Sequence, residues 1–498
     1  MKPSTLYRPT LALLTDFYEL TMAQAYYAQG MAEIPAVFNL FFRKPPFGSG
    51  YTLVAGLEAV VDFIEHFRFD DADIEFLRAQ RDDAGLPLFT EDFLAYLTAM
   101  KLTLDLDALP EGTIAFPQEP LIRVRGPLAQ AQIIETALLN MVNFSSLVAT
   151  KAAQVVAAAQ GPVLEFGLRR AQGIDGGLTA SWSAYLGGCV ATSNTLAGRL
   201  FGIPVKGTHA HSWVLSFADE RDAFDAYAQA MPNNSTLLVD TYNTLDGVRH
   251  AIETGRKLRA AGHTLSGIRL DSGDLAYLSI EARKLLDEAG FPETKIVASN
   301  DLDPQTIAAL HVEGARIDIW GVGTKLVTCY DQPALGGVYK LVAIADDPAH
   351  PNIWRTPIKI SEDPIKITIP GMLGLRRFYD ATGTARADMI YDERKPGAGN
   401  NIIDPTTDFH QHSIETGWTS RELLTPIFRG GLRVYELPSL KEIRTYAAGE
   451  LKSLHETIRR LLNPHRYPAG LEESLYRRRA AMILARRGTG GKEEILDG

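Results

Sequence analysis

Short apolar runs that end in polar residues recur through the middle of this chain, and most of them are followed by a helical pattern. The runs lie at 163–167, 189–191, 203–205, 237–239, 266–270, 296–298 and 317–320. This alternation predicts parallel strands joined by crossover helices. About seven such units over 160–345 favour a closed α/β barrel over an open sheet. In such barrels the active site lies at the carboxyl ends of the strands.

The patterns on either side of these units are different. Residues 10–30 predict a helix and residues 36–43 a strand, whereas the segment after about 345 is strand-like and irregular. A charged amphipathic helix is predicted at 440–462. We therefore expect an N-terminal α+β domain at 1–127, a catalytic α/β barrel at 128–345, and a C-terminal strand-rich segment with a helical tail at 346–498. We expect the C-terminal segment to pack on the N-terminal domain.

Composition restricts what the chain can bind. Its 498 residues carry a formal net charge of −10, and general nucleic-acid binding needs a basic face, so we expect no nucleic-acid partner. Two cysteines far apart in sequence exclude a cysteine-rich metal motif. Residues 1–9 lack the pattern of a signal peptide, and no uninterrupted apolar stretch is long enough to cross a membrane. We expect a cytoplasmic protein with no membrane partner.

Two predicted strand ends carry groups that suit a phosphorylated sugar. Gly321-Val322-Gly323-Thr324 offers backbone N–H groups and a hydroxyl to a phosphate, although the same residues also suit an ordinary tight turn. Arg269-Leu270-Asp271-Ser272-Gly273-Asp274 offers a guanidinium to an anion and carboxylates to ribose hydroxyls or a hydrated Mg2+. The same run is typical of a helix N-terminus, so one of its acids is expected to be a cap.

Two histidines follow another strand end, in the segment 207–214. An imidazole there can act as a base, a nucleophile or a metal ligand. The pair His209 and His211 is also typical of metal-dependent hydrolases, which makes a zinc site a rival interpretation. The other histidines of the barrel segment fall in or beside predicted helices, so such a site is short of ligands.

Two more strand ends carry charged or hydroxyl side chains. Asp240-Thr241-Tyr242-Asn243 adds an acid and a hydroxyl, and Arg169-Arg170 adds two cations. Adjacent residues in a strand point to opposite faces, so we expect one of these arginines to serve the site. Together these strand ends predict a site for phosphates, a ribose and an anion.

The motifs occur in an order that resembles one family. They are Leu14-Thr15-Asp16-Phe17-Tyr18-Glu19-Leu20-Thr21-Met22, Phe166-Gly167-Leu168-Arg169-Arg170-Ala171-Gln172-Gly173, Gly207-Thr208-x-Ala210-His211-Ser212 with any residue at x, the two motifs at 269–274 and 321–324, Lys359-Ile360-Ser361-Glu362 and Asn463-Pro464-His465. Any one of them is a weak signal, but the ordered set is specific. Over almost its whole length the chain resembles the nicotinate phosphoribosyltransferase family.

The resemblance implies an irregular α/β barrel of the type II phosphoribosyltransferase kind and a reaction of NAD salvage. Nicotinate attacks C1 of 5-phosphoribosyl 1-diphosphate, and nicotinate mononucleotide and diphosphate result. Mg2+ assists the departure of diphosphate. ATP, a co-substrate, is hydrolysed through a phosphorylated histidine, which by motif match is His211. A homodimer with shared active sites is also implied.

The resemblance further implies which residues hold the base. Tyr18 stacks on the pyridine ring and reaches across to the partner's site, and Phe166 forms the other side of the sandwich. Arg169, Thr208 and Arg269 surround the pyridine and its carboxylate.

The remaining roles concern the sugar and its phosphates. Asp240 and Asp271 act with His211 in catalysis and hold the ribose hydroxyls and Mg2+. Asn194 stands where related nicotinamide enzymes carry an aspartate, and an acid there would repel a carboxylate, so Asn194 favours nicotinate. The residues that cradle the 5-phosphate are Ser299, Asn300, Gly321, Gly323 and Thr324.

Other functions stay open at this point. A nicotinamide or quinolinate phosphoribosyltransferase would share the fold, and substrate competition would separate them. A non-catalytic nucleotide-binding relative would have no need for His211, Asp271 and Arg269 together. The metal-hydrolase interpretation predicts stoichiometric zinc in the purified protein.

Overall fold

A computed structural model describes residues 10–346, 350, 352–397, 399–407 and 410–488 of the chain. Residues 1–9, for which no signal peptide is predicted, lie outside the described residues. The helices, in chain order, are α1 (Phe17–Ala28), α2 (Leu57–Glu65), α3 (Asp71–Arg78), α4 (Glu91–Ala99), α5 (Leu128–Ile133), α6 (Glu135–Ala159), α7 (Gly173–Leu186), α8 (Thr195–Phe201), α9 (His211–Leu215), α10 (Glu220–Ala230), α11 (Thr244–Ala260), α12 (Leu275–Glu288), α13 (Pro304–Val312), α14 (Thr324–Val327), α15 (Leu440–Ser453) and α16 (Glu473–Arg487).

The strands, again in chain order, are β1 (Pro35–Phe42), β2 (Thr52–Leu53), β3 (Asp105–Ala108), β4 (Ile114–Ala115), β5 (Ile122–Pro127), β6 (Val163–Glu165), β7 (Ala191–Thr192), β8 (Thr236–Leu238), β9 (Gly267–Leu270), β10 (Lys295–Ala298), β11 (Ile319–Val322), β12 (Gly337–Ala345), β13 (Trp354–Arg355), β14 (Leu373–Tyr379), β15 (Ala385–Asp392), β16 (Asn401–Ile403), β17 (Gln411–Ser413), β18 (Thr419–Glu422), β19 (Thr425–Arg429), β20 (Leu432–Arg433) and β21 (Ala469–Glu472).

One compact unit, Val148–Pro333, is built around a parallel sheet. Its strands lie in the order β7-β6-β11-β10-β9-β8, and all the pairings are parallel. Apolar side chains at the strand centres, such as Leu237, Ile268 and Ile296, are fully buried, as is usual for parallel strands with both faces covered. The α/β fold predicted from the alternating pattern is therefore confirmed.

The two edges of this sheet are bridged by the segment around Val205. Val205 forms a parallel bridge with Thr192 in β7. Four residues later, His209 Nε2 accepts a hydrogen bond from the backbone N–H of Leu238 in β8, at 3.2 Å. One edge is joined through backbone pairing and the other through a side chain, so the barrel closes irregularly.

Two predicted boundaries in this unit need correction. Residues 203–205 form only an isolated bridge instead of a full strand. Gly321 and Val322 belong to β11 itself, so the loop after that strand begins only at Gly323. Both errors arise at short elements, where pairing partners rather than local pattern decide the limits.

The second compact unit contains both ends of the described chain, up to Leu147 and from Ala334 onward. Its larger sheet has the order β13-β12-β1-β5-β3-β19-β20. Strand β19, from the C-terminal part, pairs antiparallel with β3, from the N-terminal part. The division at 127 and 345 differs from the limits of the two compact units, and the three predicted domains stay a prediction.

A second large sheet of this unit has the order β17-β16-β21-β15-β14-β18. Its central hairpin, β14 and β15, is antiparallel over seven paired residues of β14. Helix α15 ends at Ser453, so the predicted helix at 440–462 is too long. It stops because Leu454 takes an extended conformation and is buried.

One stretch of the described residues, Leu128–Ala159, is long and apolar enough to cross a membrane by length and composition, although Glu135 and Lys151 interrupt it. Its most apolar window is 67% buried, as is typical of a core helix in a soluble protein. Its charged residues Glu135 and Lys151 are buried as well. A cytoplasmic location stays a prediction.

Candidate active site

Arg269, in β9, connects three loops at the carboxyl edge of the parallel sheet. Its Nε donates a hydrogen bond to Ser299 Oγ at 2.8 Å, and its Nη1 donates to Thr208 Oγ1 at 3.2 Å. Its Nη2 donates to Asp271 Oδ1 at 2.8 Å. The structure thus brings three other predicted site residues together around the guanidinium of Arg269.

The carboxylate of Asp271 is held in its charged form. Burial opposes the charge, but the hydrogen bond from Ser299 Oγ and the charge of Arg269 outweigh it, so the pKa of Asp271 lies below its ordinary value. Asp271 Oδ1 makes these contacts. The other oxygen, Oδ2, lies 3.9 Å from His211 Nε2.

Asp240 lies just after β8 with its side chain fully buried. Its Oδ2 accepts hydrogen bonds from Asp271 N at 2.9 Å and from Ser272 Oγ at 2.6 Å. Its Oδ1 is buried and has no hydrogen-bond partner among the residues that the structure describes. A buried acceptor without a partner is costly, so this oxygen is a candidate ligand for a bound group.

His211 is the first residue of α9, and its side chain is 41% exposed. Its Nδ1 lies 3.1 Å from Thr241 Oγ1, within hydrogen-bond range. Its Nε2 lies 4.0 Å from Asp240 Oδ1 and 3.9 Å from Asp271 Oδ2. One nitrogen is therefore hydrogen-bonded, and the other faces two carboxylates from an accessible position.

His209 has a structural role instead. It is buried, its Nε2 accepts the Leu238 N–H, and its ring lies 4.8 Å from that of Tyr227. Burial also lowers the pKa of His209. Within the described ranges, no group of three or more His, Cys, Asp or Glu side chains is arranged to hold a metal ion. The pair His209 and His211 therefore does not present two free ring nitrogens to zinc.

Phe166 forms a wall beside Arg269. Its backbone N–H donates to Val322 O at 2.8 Å, and the Arg269 guanidinium lies 5.9 Å from the centre of its ring. A Cβ at Gly321 would come within 2.8 Å of that ring, and one at Gly323 within 3.1 Å of Phe166 O. Both glycines are needed for the close approach of this loop to β11, a role that the sequence interpretation did not include.

The predicted phosphate-binding residues lie at the ends of two neighbouring strands, β10 and β11. Ser299 is buried and bonded to Arg269 and Asp271. Asn300 is exposed and has a φ of 107°, in the left-handed region that non-glycine residues rarely occupy. Thr324 is partly buried and begins the short helix α14.

Asn194 is a helix cap with both ends of its amide in use. Its Oδ1 accepts from Ala197 N at 3.2 Å. Its Nδ2 donates to Gly177 O at 3.3 Å and to Ser181 Oγ at 3.2 Å. Because the side chain is buried and satisfied, it does not offer a free group to a substrate, which differs from the role expected from the resemblance.

Arg169, Arg170 and Tyr18, which the sequence singles out, are exposed. Arg169 and Arg170 lie in a short 3₁₀ turn, Leu168–Arg170, so the expectation that they alternate across a strand is wrong. Tyr18, on α1, belongs to the unit that contains both chain ends and is 47% exposed. Partial burial and the nearby carboxylate of Glu135 raise the pKa of Tyr18.

Family models match most of the chain in three consecutive parts. Residues 13–143 match the nicotinate phosphoribosyltransferase N-terminal domain, residues 163–384 the nicotinate phosphoribosyltransferase family, and residues 374–479 the corresponding C-terminal domain. The chain belongs to the nicotinate phosphoribosyltransferase family. It is an enzyme of that family.

Individual relatives agree over nearly the full length. The chain is 42% identical to the nicotinate phosphoribosyltransferase of Bacillus subtilis, with 94% of each chain covered. It is 37% identical to the human nicotinate phosphoribosyltransferase, over 93% of this chain and 95% of the relative. The crystal structure of the human protein superposes with a TM-score of 0.80 at 34% identity, covering 94% of this chain and 99% of that one.

A more distant structure shares the fold. The nicotinate-nucleotide pyrophosphorylase from Pyrococcus furiosus matches 89% of this chain and 95% of its own, with a TM-score of 0.66 at 21% identity. This likeness supports the type II phosphoribosyltransferase architecture and nothing beyond it.

Three residues of this family member contribute to the site without having been assigned a role from sequence. Thr241 contacts His211, and Ser272 contacts Asp240. Glu165 accepts hydrogen bonds from Gly167 N and two hydroxyls beneath the Phe166 loop. Thr241 and Ser272 lie within motifs that the sequence did single out, whereas an acid inside the apolar run 163–167 is the only signal for Glu165.

Proposed function

We propose that this protein is a nicotinate phosphoribosyltransferase that converts nicotinate and 5-phosphoribosyl 1-diphosphate to nicotinate mononucleotide and diphosphate, with ATP hydrolysis coupled to turnover. The observation that carries the proposal is the accessible His211 Nε2, which lies about 4 Å from both Asp240 and Asp271. An exposed imidazole beside two carboxylates suits phosphoryl chemistry, whereas a binding protein would have no use for it.

Asp240 and Asp271 would hold Mg2+ together with the phosphates of the substrate. The unpartnered, buried Asp240 Oδ1 and the Asp271 Oδ2 both face the region around His211 Nε2, and hard oxygen ligands suit this cation. A site with few protein ligands also suits it, because Mg2+ in phosphate-transferring enzymes is commonly held by one or two carboxylates and the substrate. When bound, Mg2+ would neutralise charge on the departing diphosphate.

Arg269 and Phe166 would hold nicotinate. A guanidinium has five N–H donors, and three nitrogens of Arg269 already bind neighbouring side chains, which fixes its orientation. The remaining donors can bind the carboxylate of nicotinate. The ring of Phe166 offers a face for the pyridine, and the exposed Arg169 on the following turn adds positive charge.

Residues at the ends of β10 and β11 would cradle the 5-phosphate. Asn300 supports this assignment, because its left-handed backbone is strained for a non-glycine residue, and such strain concentrates at ligand sites. Gly323 and Thr324 follow β11 on the adjacent loop, where backbone N–H groups can serve an anion.

We further propose a homodimer in which Tyr18 completes the partner's site. Tyr18 and its neighbour Phe17 expose about half of their surfaces, and adjacent exposed aromatic residues are typical of an interface. Mixing Tyr18→Ala with His211→Ala protein tests the proposal, because a mixed dimer with shared sites contains one intact site. If activity returns on mixing, the active sites are shared between the two subunits. If both variants are inactive and their verified mixed dimers are inactive as well, the shared site is contradicted.

The first experiment measures diphosphate release with nicotinate or nicotinamide, with and without ATP, for the wild type and His211→Ala. Release with nicotinate that ATP stimulates, with stimulation lost in His211→Ala, is the expected result. Turnover that ATP does not change would support the transferase activity but contradict the phosphohistidine mechanism. Turnover that nicotinamide or quinolinate supports better than nicotinate, in direct competition, would favour the related activities.

A further inference from the structure

The position of His211 raises the question of which ring nitrogen reacts. An imidazole has two nitrogens, and the hydrogen bond made by one of them sets the tautomer and orientation of the other. Here Nδ1 lies 3.1 Å from the hydroxyl of Thr241, and Nε2 makes no contact shorter than 3.9 Å to the facing carboxylates. The two nitrogens are therefore not equivalent.

Thr241 is well placed to hold this ring. It follows β8 directly after Asp240, and Asn243 two residues later caps helix α11. Its hydroxyl makes no other side-chain hydrogen bond in the part of the chain that the structure describes. A hydroxyl can accept a hydrogen bond from a protonated Nδ1, and in that tautomer the lone pair of Nε2 is free to react.

Among the residues that the structure describes, no other group hydrogen-bonds to the His211 ring. Asp240 Oδ1 and Asp271 Oδ2 lie 4.0 Å and 3.9 Å from Nε2, which is beyond hydrogen-bond length. The His211 side chain is 41% exposed, so packing restricts its rotation less than it would restrict a buried ring. The Thr241 hydroxyl is thus the contact that fixes which nitrogen faces the carboxylates.

We propose that Thr241 is a positioning residue that binds His211 Nδ1 and thereby makes Nε2 the nitrogen that accepts the phosphoryl group. The inference rests on the proposed function, since it concerns the phosphohistidine of that reaction. The Nε2 lone pair forms a bond to the γ-phosphorus of ATP while the bond from that phosphorus to the β–γ bridging oxygen breaks. ADP leaves with the electron pair, and the ring keeps its Nδ1 proton, hydrogen-bonded to Thr241, as a phosphorylated imidazolium.

The test uses the full-length enzyme with γ-labelled ATP and the variants Thr241→Val and Thr241→Ser. Valine matches threonine in shape but cannot hydrogen-bond, so acid-labile labelling should fall by about tenfold, the effect of one lost hydrogen bond. Serine keeps the hydroxyl and should restore most of the labelling. Thr244→Val removes a hydroxyl that makes no contact with His211 and should label like the wild type.

The isomer of phosphohistidine gives a second readout that a merely structural role would not change. Phosphorus NMR of the denatured wild-type protein should show phosphorylation at Nε2, and the residual label in Thr241→Val should include Nδ1. Labelling at Nδ1 in the wild type would overturn the inference, as would full labelling of Thr241→Val at Nε2 alone.

Failure of the proposed function would look different. A wild type with no acid-labile label, or one whose label persists in His211→Ala, contradicts the phosphohistidine itself, and the inference then falls with it. A labelled wild type whose Thr241 variants behave alike contradicts only the role of Thr241.

Discussion

A single buried carboxyl group on α1 illustrates how residue-level chemistry is set by surroundings. Glu19 is fully buried and contacts Thr15 and Thr136. The Thr15 hydroxyl also lies 2.9 Å from Ile133 O, and a hydroxyl has only one proton to donate. If that proton goes to the carbonyl, the contact with Glu19 needs a protonated carboxyl. Burial accordingly raises the pKa of Glu19 to about 7.

This raised pKa predicts a pH-dependent stability. The folded state keeps a proton on Glu19 that the unfolded state loses, so the stability associated with that proton is complete below about 4.5 and is lost as the pH rises to about 7. Relative to Glu19→Gln, the wild-type free energy of unfolding should fall by up to about 3 kcal/mol over this range, since one pKa unit corresponds to about 1.4 kcal/mol.

Denaturant unfolding of both proteins at several pH values measures this difference. The exposed Glu75→Gln is the matched control, because its carboxylate stays in water in both states. If the free energies of unfolding of the wild type and Glu19→Gln change with pH in parallel, the pKa of Glu19 is not raised in the folded state and the prediction is wrong.

At the scale of elements, one polar network joins β6, α7, β7 and α8. The buried carboxylate of Glu165 accepts hydrogen bonds from Gly167 N, Ser181 Oγ and Thr192 Oγ1. Asn194 joins this network through Ser181 Oγ and caps α8. The network supports the loop that carries Phe166, since Gly167 is bonded directly to Glu165.

The variant Asn194→Asp distinguishes a structural role of this residue as a helix cap from direct contact with nicotinate. The carboxylate cannot donate to Gly177 O or Ser181 Oγ, and it adds a charge close to buried Glu165, so stability should fall by about 3 kcal/mol. A variant of wild-type stability with a raised KM for nicotinate would instead support direct contact with the base. Asn243→Asp, at an exposed cap, should change neither quantity, because aspartate caps helices as well as asparagine.

Gly321→Ala tests the fit between β11 and the Phe166 loop. The new methyl group would lie 2.8 Å from the Phe166 ring and would displace it, so the KM for nicotinate should rise by about tenfold or more. Steady-state kinetics and a thermal melt measure the effect. Gly449→Ala, in α15, meets no atom within 4 Å and should leave both values near those of the wild type. An unchanged KM in Gly321→Ala would mean that the ring does not hold the base.

At the scale of the whole molecule, the unit that contains both chain ends depends on a buried arginine. Arg377, in β14, binds Asp388 through Nε and Nη2, Glu450 through Nη1, and the carbonyl of Ile114 from the N-terminal part. Its side chain is 0% exposed. One guanidinium therefore connects residues more than 250 positions apart in sequence.

Arg377→Met should destabilise this unit strongly. Methionine leaves the buried Asp388 and Glu450 without their cation, and breaking a buried pair in this way costs about 3–5 kcal/mol. Chemical denaturation should show the loss in the transition of this unit. Arg376→Met, one residue earlier at an exposed ion pair, should lose less than about 1 kcal/mol. Similar losses for both variants would mean that the buried network contributes little.

The sequence by itself determined the alternation of strands and helices in the central segment and the polar character of the strand ends. It could do so because the period of apolar residues reflects burial directly, and because parallel strands end at one edge of their sheet. The ordered set of motifs also indicated the nicotinate phosphoribosyltransferase family. The strand ends and the motifs therefore point to Arg269, Asp271 and His211 as candidate site residues.

Tertiary structure alone decided how these side chains are used. The amide of Asn194 is satisfied by Gly177 and Ser181, His209 binds Leu238 of β8, and Thr241 contacts His211, and each of these partners lies more than ten residues away in sequence. Likewise, only glycine fits at positions 321 and 323, because a Cβ there would crowd the ring or the backbone of Phe166, more than 150 residues earlier. Local pattern records which face of an element is buried, but the partner across a hydrogen bond is set only when the chain has folded.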